Sequence, residues 1–512
     1  MHSVQPYNPI IIFFMRIIRI QLYIFLAVLL VNTCSHGQSE PNEIEEPKNE
    51  SAVLRGRVHS SNQGIAGVIV TDGFNFALTD DSGNYSLSSG LAATHVYISS
   101  PSGYSVPVEN SVPQYYISLE NVSNRQDLNF ELIRSATSDQ KHYCIAVGDP
   151  QVRNEEELLK LKPILDGMKA NIKSKNMNPV HLMVAGDIVF DTPLVHDQSK
   201  SYFSTVGQPV YYAIGNHDHI QNKKQAASDL YDKTAADVFK GHYGPTYYSF
   251  NRGEVHYVVL DNILYRGGPD TDYSTFITRE QLEWLKKDLS YVPKNKVIFV
   301  MLHSPTKSRY QSNYGNSAEL HQLLTGYKEV HIISGHTHYN SVMLDGSGIT
   351  EHTVGAVCGG WWEGPVCPCG TYLGYKIFEI DGTSVQWKYR VHQFPEKQFS
   401  VFKPTQRADD LSPAEELLVN VWDWDTSWTV NWSDDNGTSF KEMHHPASRV
   451  YDPLAFEYFG ASGDKTFPPG RTWIGASPTD HIFTCIPSEG TTKVIIKVTN
   501  HFGEEFTEEV SL

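Results

Sequence analysis

Five apolar runs in this chain each stop at side chains able to hold a metal ion. His142 to Val147 gives way to Gly148-Asp149-Pro150-Gln151, and His181 to Ala185 gives way to Gly186-Asp187. Val210 to Ile214 ends in Gly215-Asn216-His217-Asp218, Lys296 to Leu302 in His303, and Val330 to Ser334 in Gly335-His336-Thr337-His338. Taken singly, each has an ordinary explanation: a helix cap, a turn, a core histidine. An ordered set of five does not. Carboxylates and imidazoles suit Mn, Fe, Zn or Co, and the neutral amides of Gln151 and Asn216 keep coordination positions open without cancelling positive charge. Two dications roughly 3.5 to 4 Å apart repel one another, and a shared carboxylate holds such a pair together. Asp187 is the natural bridge. One ion then draws on Asp149, Gln151, Asp187 and His338, and the other on Asp187, Asn216, His303 and His336. Water held by the pair loses a proton near neutral pH. His217, beside a ligand but not needed as one, is the candidate acid facing a substrate. Asp218 either orients it or serves the turn, and Asp191 is either a supporting acid or a solvated loop residue.

The elements that position these residues follow from the pattern around them. Ligands in open α/β sheets gather beyond the carboxyl ends of the strands, so five endings far apart in sequence can meet. Glycine before a ligand lets the backbone turn tightly and come close. Glu155 to Ile172 carries Leu158, Leu159, Leu161, Ile164, Leu165 and Met168 near helical spacing, and Thr278 to Leu289 carries Leu282, Leu285 and Leu289. This reads as an α/β unit over residues 140–395. Short apolar runs between turn signals mark a β-sandwich over 52–136, with no acid, base or ligand cluster, so a spacer or docking module is expected there. A linker over 396–413 and a second β-sandwich over 414–512, with the turn Asp434-Asp435-Asn436-Gly437, complete the expected layout.

Length and composition agree with several folded units. The chain has 512 residues, 40% apolar and 19% charged, the make-up of folded rather than disordered protein. Lys plus Arg is 41 against Asp plus Glu 58, a formal net charge of −17, and no nucleic-acid partner is expected on that balance. A small anionic substrate stays open, since bound dications dominate the field inside a cleft. Residues 1–33 read as an export signal whose expected start is Met15, with Arg16, Arg19 and an apolar core from Leu22 to Val31. That core is shorter than the roughly 20 residues a membrane span needs. Val31-Asn32-Thr33-Cys34 resembles a bacterial lipoprotein cleavage site, which implies lipidation of Cys34 and a tether over 34–51. The expected location is the cell envelope, anchored by lipid to a bacterial membrane and facing the periplasm or the surface. In an oxidising compartment a disulfide from Cys358 to Cys367 or Cys369 is expected. A zinc knuckle of Cys358, Cys367, Cys369 and His352 is disfavoured by its spacing.

The ordered set Asp-x-Gln, Gly-Asp, Gly-Asn-His-Asp, a single His and Gly-His-Thr-His resembles the calcineurin-like metallophosphoesterases. The three-part layout is similar to exported bacterial members with a β module on either side, and Gly67 to Gly73 followed by Thr79 to Tyr85 resembles their transthyretin-like modules. The resemblance implies a four-layer α/β/β/α sandwich flanked by two small all-β sandwich domains. It implies two divalent metal ions, Mn foremost with Fe, Zn, Mg or Co as alternatives. The implied reaction is hydrolysis of phosphate mono- or diesters by a hydroxide held between the ions, with His217 stabilising phosphoryl oxygens or protonating the leaving alkoxide. Substrates would be phosphorylated small molecules, lipids or glycans. One departure stands out: the family usually has Asp-x-His where this chain has Asp149-Pro150-Gln151, and an oxygen ligand tilts that site toward Mn or Mg. Tyr339, Asn340, Trp361 and Trp362 fall where family members build the substrate mouth; the tryptophans either stack on a sugar or base or pack against the C-terminal sandwich. Gly374-Tyr375 and Phe378-Glu379-Ile380 read as a return strand. The rival readings are a cell-surface binding protein on a spent scaffold, disfavoured by the nearly complete ligand set, and an extracellular nuclease, disfavoured by the acidic balance.

Overall fold

The computed structural model describes residues 52–512 apart from 91, 121, 123, 223, 225, 269–271, 309–312, 345, 407–414 and 462–472. The expected export signal, Cys34 and the tether lie outside the described residues. In the central unit the apolar runs become strands. β1 (Lys141–Val147), β2 (Val180–Val184) and β3 (Val210–Tyr212) lie parallel in the order β3-β2-β1. A second sheet holds β4 (Tyr248–Arg252), β5 (Val255–Val259), β6 (Val297–Met301), β7 (Glu329–Ser334), β8 (Ser341–Leu344) and β9 (Ile349–Thr353), in the order β4-β5-β6-β7-β9-β8. Its strands β5, β6, β7 and β9 are parallel. β10 (Gly374–Asp381), the expected return strand, pairs antiparallel with β1, and β11 (Ser384–Val391) closes the first sheet.

Because side chains alternate faces along a strand, the first sheet buries both. Cys144, Ala146, Met183, Ala185, Tyr211 and Ala213 meet the second sheet in a shared core. Ile145, Val147, Leu182, Val184 and Tyr212 pack outward on helix α1 (Glu155–Ser174) through Leu158, Leu161, Leu165 and Met168. Helix α2 (Arg279–Leu289) covers the second sheet with Leu282, Trp284, Leu285 and Leu289. The result is the expected α/β/β/α order. Asn154 caps α1 by accepting the Glu157 N–H at 3.0 Å, and Thr278 caps α2.

The N-terminal module is all β. Ala52–Ser60 pairs with Asn84–Ser89, and Ile69–Thr71 lies beside His95–Ser99. Its core is continuous with that of the central unit: Leu54, Val70 and Ile98 belong to one apolar cluster with Tyr248, Phe250 and Trp284. Tyr115 meets Tyr248 at 4.5 Å between centroids, Ser100 bridges to Phe250, and Ser249 Oγ donates to Ser99 Oγ at 2.9 Å.

The C-terminal module is a sandwich in which Phe399–Phe402, Leu417–Val421 and Ile482–Cys485 form one sheet, while Thr429–Ser433, Lys441–Glu442, Lys493–Thr499 and Glu505–Ser511 form the other. Val419, Val421, Val430, Trp432, Phe483 and Ile496 fill the space between them. The stretch expected to be a linker over 396–413 therefore contributes an edge strand, because Phe399-Ser400-Val401-Phe402 offers apolar residues that the polar text around it hides. The module docks through Asp423, whose carboxylate meets Lys376 of β10 at 2.8 Å with both side chains fully buried. A short helix, α3 (Pro453–Phe459), lies against the loop that carries Trp361.

The expected disulfide is not formed. Cys358, Cys367 and Cys369 are free and buried, each enclosed with an acceptor of its own: Cys367 donates to the Ala356 carbonyl and Cys369 to Thr371 Oγ1. Among the described residues no helix is long and apolar enough to cross a membrane.

Candidate metal centre

Every candidate ligand sits just past the carboxyl end of a parallel strand: Asp149 and Gln151 after β1, Asp187 after β2, Asn216 after β3, His303 after β6, and His336 and His338 after β7. The backbone is bent hard to aim them. Asp149 (φ 42°), Gln151 (40°), Asp187 (49°), His336 (69°) and His338 (56°) all occupy the left-handed region. That conformation costs a non-glycine residue about 1 kcal/mol or more, and it persists only where the surroundings over-determine it. Close approach is secured by glycine. A Cβ on Gly215 would overlap the Asp187 carboxylate, and one on Gly335 would overlap that of Asp149.

Asp187 lies at the centre. Its Oδ2 is 3.2 Å from His303 Nε2 and accepts Gln151 Nε2 at 2.7 Å, while Oδ1 accepts the His217 N–H at 2.9 Å. His303 Nε2 is also 3.0 Å from Asn216 Oδ1 and 3.1 Å from His336 Nδ1. The other nitrogen of His303 lies 2.8 Å from the Ala185 carbonyl. A carbonyl only accepts, so that nitrogen carries a proton and Nε2 is the one turned toward Asp187 and Asn216. His338 repeats the arrangement: Nδ1 lies 2.7 Å from the Gly359 carbonyl, while Nε2 is buried with no hydrogen-bond partner, 3.8 Å from Asp149 Oδ1. Carboxylates, imidazoles and an amide oxygen thus crowd together, an arrangement that calls for positive charge among them, a proton or a cation.

The electrostatics point the same way. Burial opposes a charge on His303, yet the carboxylates of Asp187 and Asp149 hold its pKa up to about 9, so a proton occupies Nε2 at neutral pH until a cation displaces it. Burial pushes His336 down to about 3 and His338 down to about 4, so both are neutral, as ligands must be. Burial and the neighbouring Asp187 charge raise Asp149. The ligand atoms of Asp187, His303 and His336 all lie within 4.8 Å of one another. The donor set fits divalent cations.

His217 stands at the edge of this cluster, its side chain 21% exposed, with Nδ1 2.7 Å from Asp191 Oδ1. Asp191 is therefore the residue that orients His217. Asp218, a candidate for catalysis, is not: its Oδ1 accepts the N–H groups of Ile188 and Val189 at 2.9 and 3.1 Å, and its Oδ2 accepts that of Gly215 at 2.8 Å. It ties the two ligand loops together. Asn340 is also no part of a substrate mouth. It is fully buried, donates to Asp423 Oδ1 and the Trp422 carbonyl, and accepts the Gly355 N–H. Tyr339 lines a cavity of about 230 Å³ with Cys369, Arg449, Asp480 and His481, apart from the ligands. Trp362 is buried under the first ligand loop and donates Nε1–H to the Pro150 carbonyl at 3.1 Å. Trp361 alone of the four reaches the centre, stacking on His338 at 4.0 Å between centroids. Two residues without a sequence signal join it: Phe190, flat on His217 at 4.2 Å, and Trp473 beyond Phe190 at 6.1 Å.

Comparison with known proteins gives three matches in succession. Residues 52–135 match the N terminal of calcineurin-like phosphoesterase, 144–340 the calcineurin-like phosphoesterase model itself, and 351–506 the C terminal of calcineurin-like phosphoesterase. Purple acid phosphatase 15 of Arabidopsis thaliana is 29% identical over 138 residues, covering 25% of this chain and 24% of that protein. Purple acid phosphatase 23 of the same plant is 30% identical over 142 residues, 25% of this chain and 28% of that protein. The chain thus spans about a quarter of the length of these curated relatives. Among solved structures, a dimetal phosphatase from Danio rerio aligns over 49% of this chain and 96% of its own, at 13% identity and a TM-score of 0.36. A 5′-nucleotidase from Candida albicans aligns over 74% of this chain and 91% of its own, at 12% identity and a TM-score of 0.32.

Proposed function

Since the chain belongs to the calcineurin-like phosphoesterase family, we propose that it hydrolyses phosphate esters, monoesters or diesters, at a centre of two divalent cations. Asp149, Gln151, Asp187 and His338 would hold one ion, and Asp187, Asn216, His303 and His336 the other. The observation that carries this reading is the approach of Asn216 Oδ1 and Asp187 Oδ2 to His303 Nε2, at 3.0 and 3.2 Å, with His338 Nε2 buried and unpartnered nearby. When bound, the ions polarise the phosphoryl group and make water acidic enough to attack near neutral pH.

The chain's own residues do the rest. Asp191 takes Nδ1 of His217, which leaves Nε2 to meet the departing oxygen and pass it a proton. Asp218 keeps the loops of Asp187 and Asn216 in register. Gln151 now turns Nε2 toward Asp187; with its amide turned about it would supply an oxygen where nitrogen is usual, which favours Mn or Mg. The reading includes export and a lipid anchor at Cys34, supported by the segment that precedes it, and phosphorylated small molecules, lipids or glycans as substrates.

The test uses purified protein with Mn on paired monoester and diester model substrates, beside Asp187→Asn and His217→Ala. Turnover that needs Mn and falls in both variants supports the proposal. Metal uptake with hydrolysis of neither substrate overturns it in favour of a binding protein.

A further inference from the structure

A cavity of about 370 Å³ lies where the N-terminal module meets the central unit, lined by Gly73, Phe74 and Tyr97 of the first and by Lys240, Tyr247 and Asp261 of the second. Asp261 stands just past the carboxyl end of β5, and Gln281 of α2 pins its backbone: Oε1 accepts the Asp261 N–H and Nε2 donates to the Asp261 carbonyl, both at 2.9 Å. The residue is only 5% exposed. Its Oδ1 accepts the Ile263 N–H at 3.1 Å, while among the described residues no donor meets Oδ2. Burial, with the charge of Asp232 added, raises its pKa. The lysines at the cavity are occupied elsewhere. Lys240 Nζ meets Asp237 Oδ1 at 2.6 Å and donates to the Lys233 carbonyl at 2.7 Å, and Lys233 meets Glu280 at 3.0 Å. A carboxylate oxygen held out of water with no donor is unfavourable until a donor or a positive charge reaches it.

The N-terminal module supplies the second half of the site. Tyr97 is 2% exposed and its hydroxyl has no hydrogen-bond partner. Tyr247 donates its hydroxyl to the Gly73 carbonyl at 3.0 Å. Gly73, at φ 93°, keeps the space beside both hydroxyls open, since a Cβ there would come within 3.0 Å of Tyr247 Oη and 3.4 Å of Tyr97 Oη. An alkylammonium group matches this set: it has three N–H donors and no acceptor, and aromatic faces attract its charge. We propose that the cavity binds a small primary amine as its ammonium ion, which donates to Asp261 Oδ2 and Tyr97 Oη while its apolar body lies against Tyr247 and Phe74. None of the metal ligands lines this cavity, so the proposal stands apart from the hydrolytic reading.

The test titrates benzylamine into the full Mn-loaded protein by calorimetry at neutral pH, with benzyl alcohol as its uncharged analogue. Saturable binding of one benzylamine per chain is expected, with benzyl alcohol weaker by about tenfold or more. Asp261→Asn keeps an oxygen for the Ile263 N–H but loses the charge, and it should raise the Kd about tenfold. Tyr97→Phe should raise it by a smaller factor. Asp187→Asn, which cripples the metal centre, should leave the Kd unchanged. Hydrogen exchange on the wild type needs no variant: benzylamine should slow exchange over residues 72–75, and benzyl alcohol should not. Absence of saturable binding, which would mean that Asp261 simply holds a proton, overturns the proposal. So does equal affinity for the alcohol, an undiminished affinity in Asp261→Asn, or a loss of binding in Asp187→Asn. Competitive displacement of benzylamine by Ca would mark a metal site instead and overturns it as well.

Discussion

Replacing Asp423 with alanine probes how the C-terminal module supports the centre. The Asp423–Lys376 pair is 2.8 Å long and fully buried on both sides. The same carboxylate accepts Asn340 Nδ2 at 2.9 Å and the Tyr389 N–H at 3.1 Å. Asp423→Ala takes from the buried Lys376 ammonium the carboxylate it meets, and removing one partner of such a pair costs about 3–5 kcal/mol. An ordinary domain has only about 5–15 kcal/mol in hand, so the loss is a large share of the total. Urea unfolding followed by tryptophan fluorescence should show a lower midpoint with an unchanged slope. The double variant Asp423→Leu with Lys376→Met, which buries no charge, should recover most of the loss. Asn340 is two residues from His338, so Asp423→Ala should also weaken Mn binding. A destabilisation under about 1 kcal/mol, the range of an exposed pair, or a double variant no better than the single one, would refute the reasoning.

Four further outcomes are expected. His217→Ala should lower kcat by about 10² to 10⁴ while metal content is retained, and Asp191→Asn should give a smaller fall of the same kind. Gln151→His should reorder the metal preference toward nitrogen-loving ions with turnover retained; an unchanged metal profile across a dication series would count against an oxygen ligand there. Chelation should lower the thermal midpoint, and Mn at a hundred times its Kd should restore about 2.7 kcal/mol, with no such response in Asp187→Asn. Burial pushes Asp452 up to about 6 from 3.8, so its contribution to stability is complete below 3.8 and is lost as pH rises through 6. Asp452→Asn should flatten stability against pH across that window, as read by denaturation at several pH values.

The sequence makes the strand ends legible because both signals there are local: an apolar run with a period of two, then a polar residue of ligand type. It cannot rank the residues around them by the same means. Asp191 and Asp218 both follow a motif closely, and only the fold shows that one meets His217 while the other is consumed by three backbone N–H groups. Asn340 and Tyr339 follow the last ligand directly, yet the C-terminal module covers them. Trp473 has no pattern at all, since its partners Phe190 and Trp361 lie far upstream. The free cysteines escape prediction for a different reason: their spacing allows a bridge, and the enclosure of each thiol with its own acceptor is visible only in three dimensions.

The apolar cluster that runs unbroken from Leu54 to Trp284 sets a practical boundary on how this chain can be cut. Trimming it to residues 144–340, the part carrying the metal-binding motifs, would strip the cover from Tyr248, Phe250 and Trp284 and remove β10 and β11 from the first sheet. A fragment cut that way would present sticky flanks and clump rather than fold. The borders of family similarity are thus not seams, and any shortened version worth making must keep everything from the first strand at Ala52 onward.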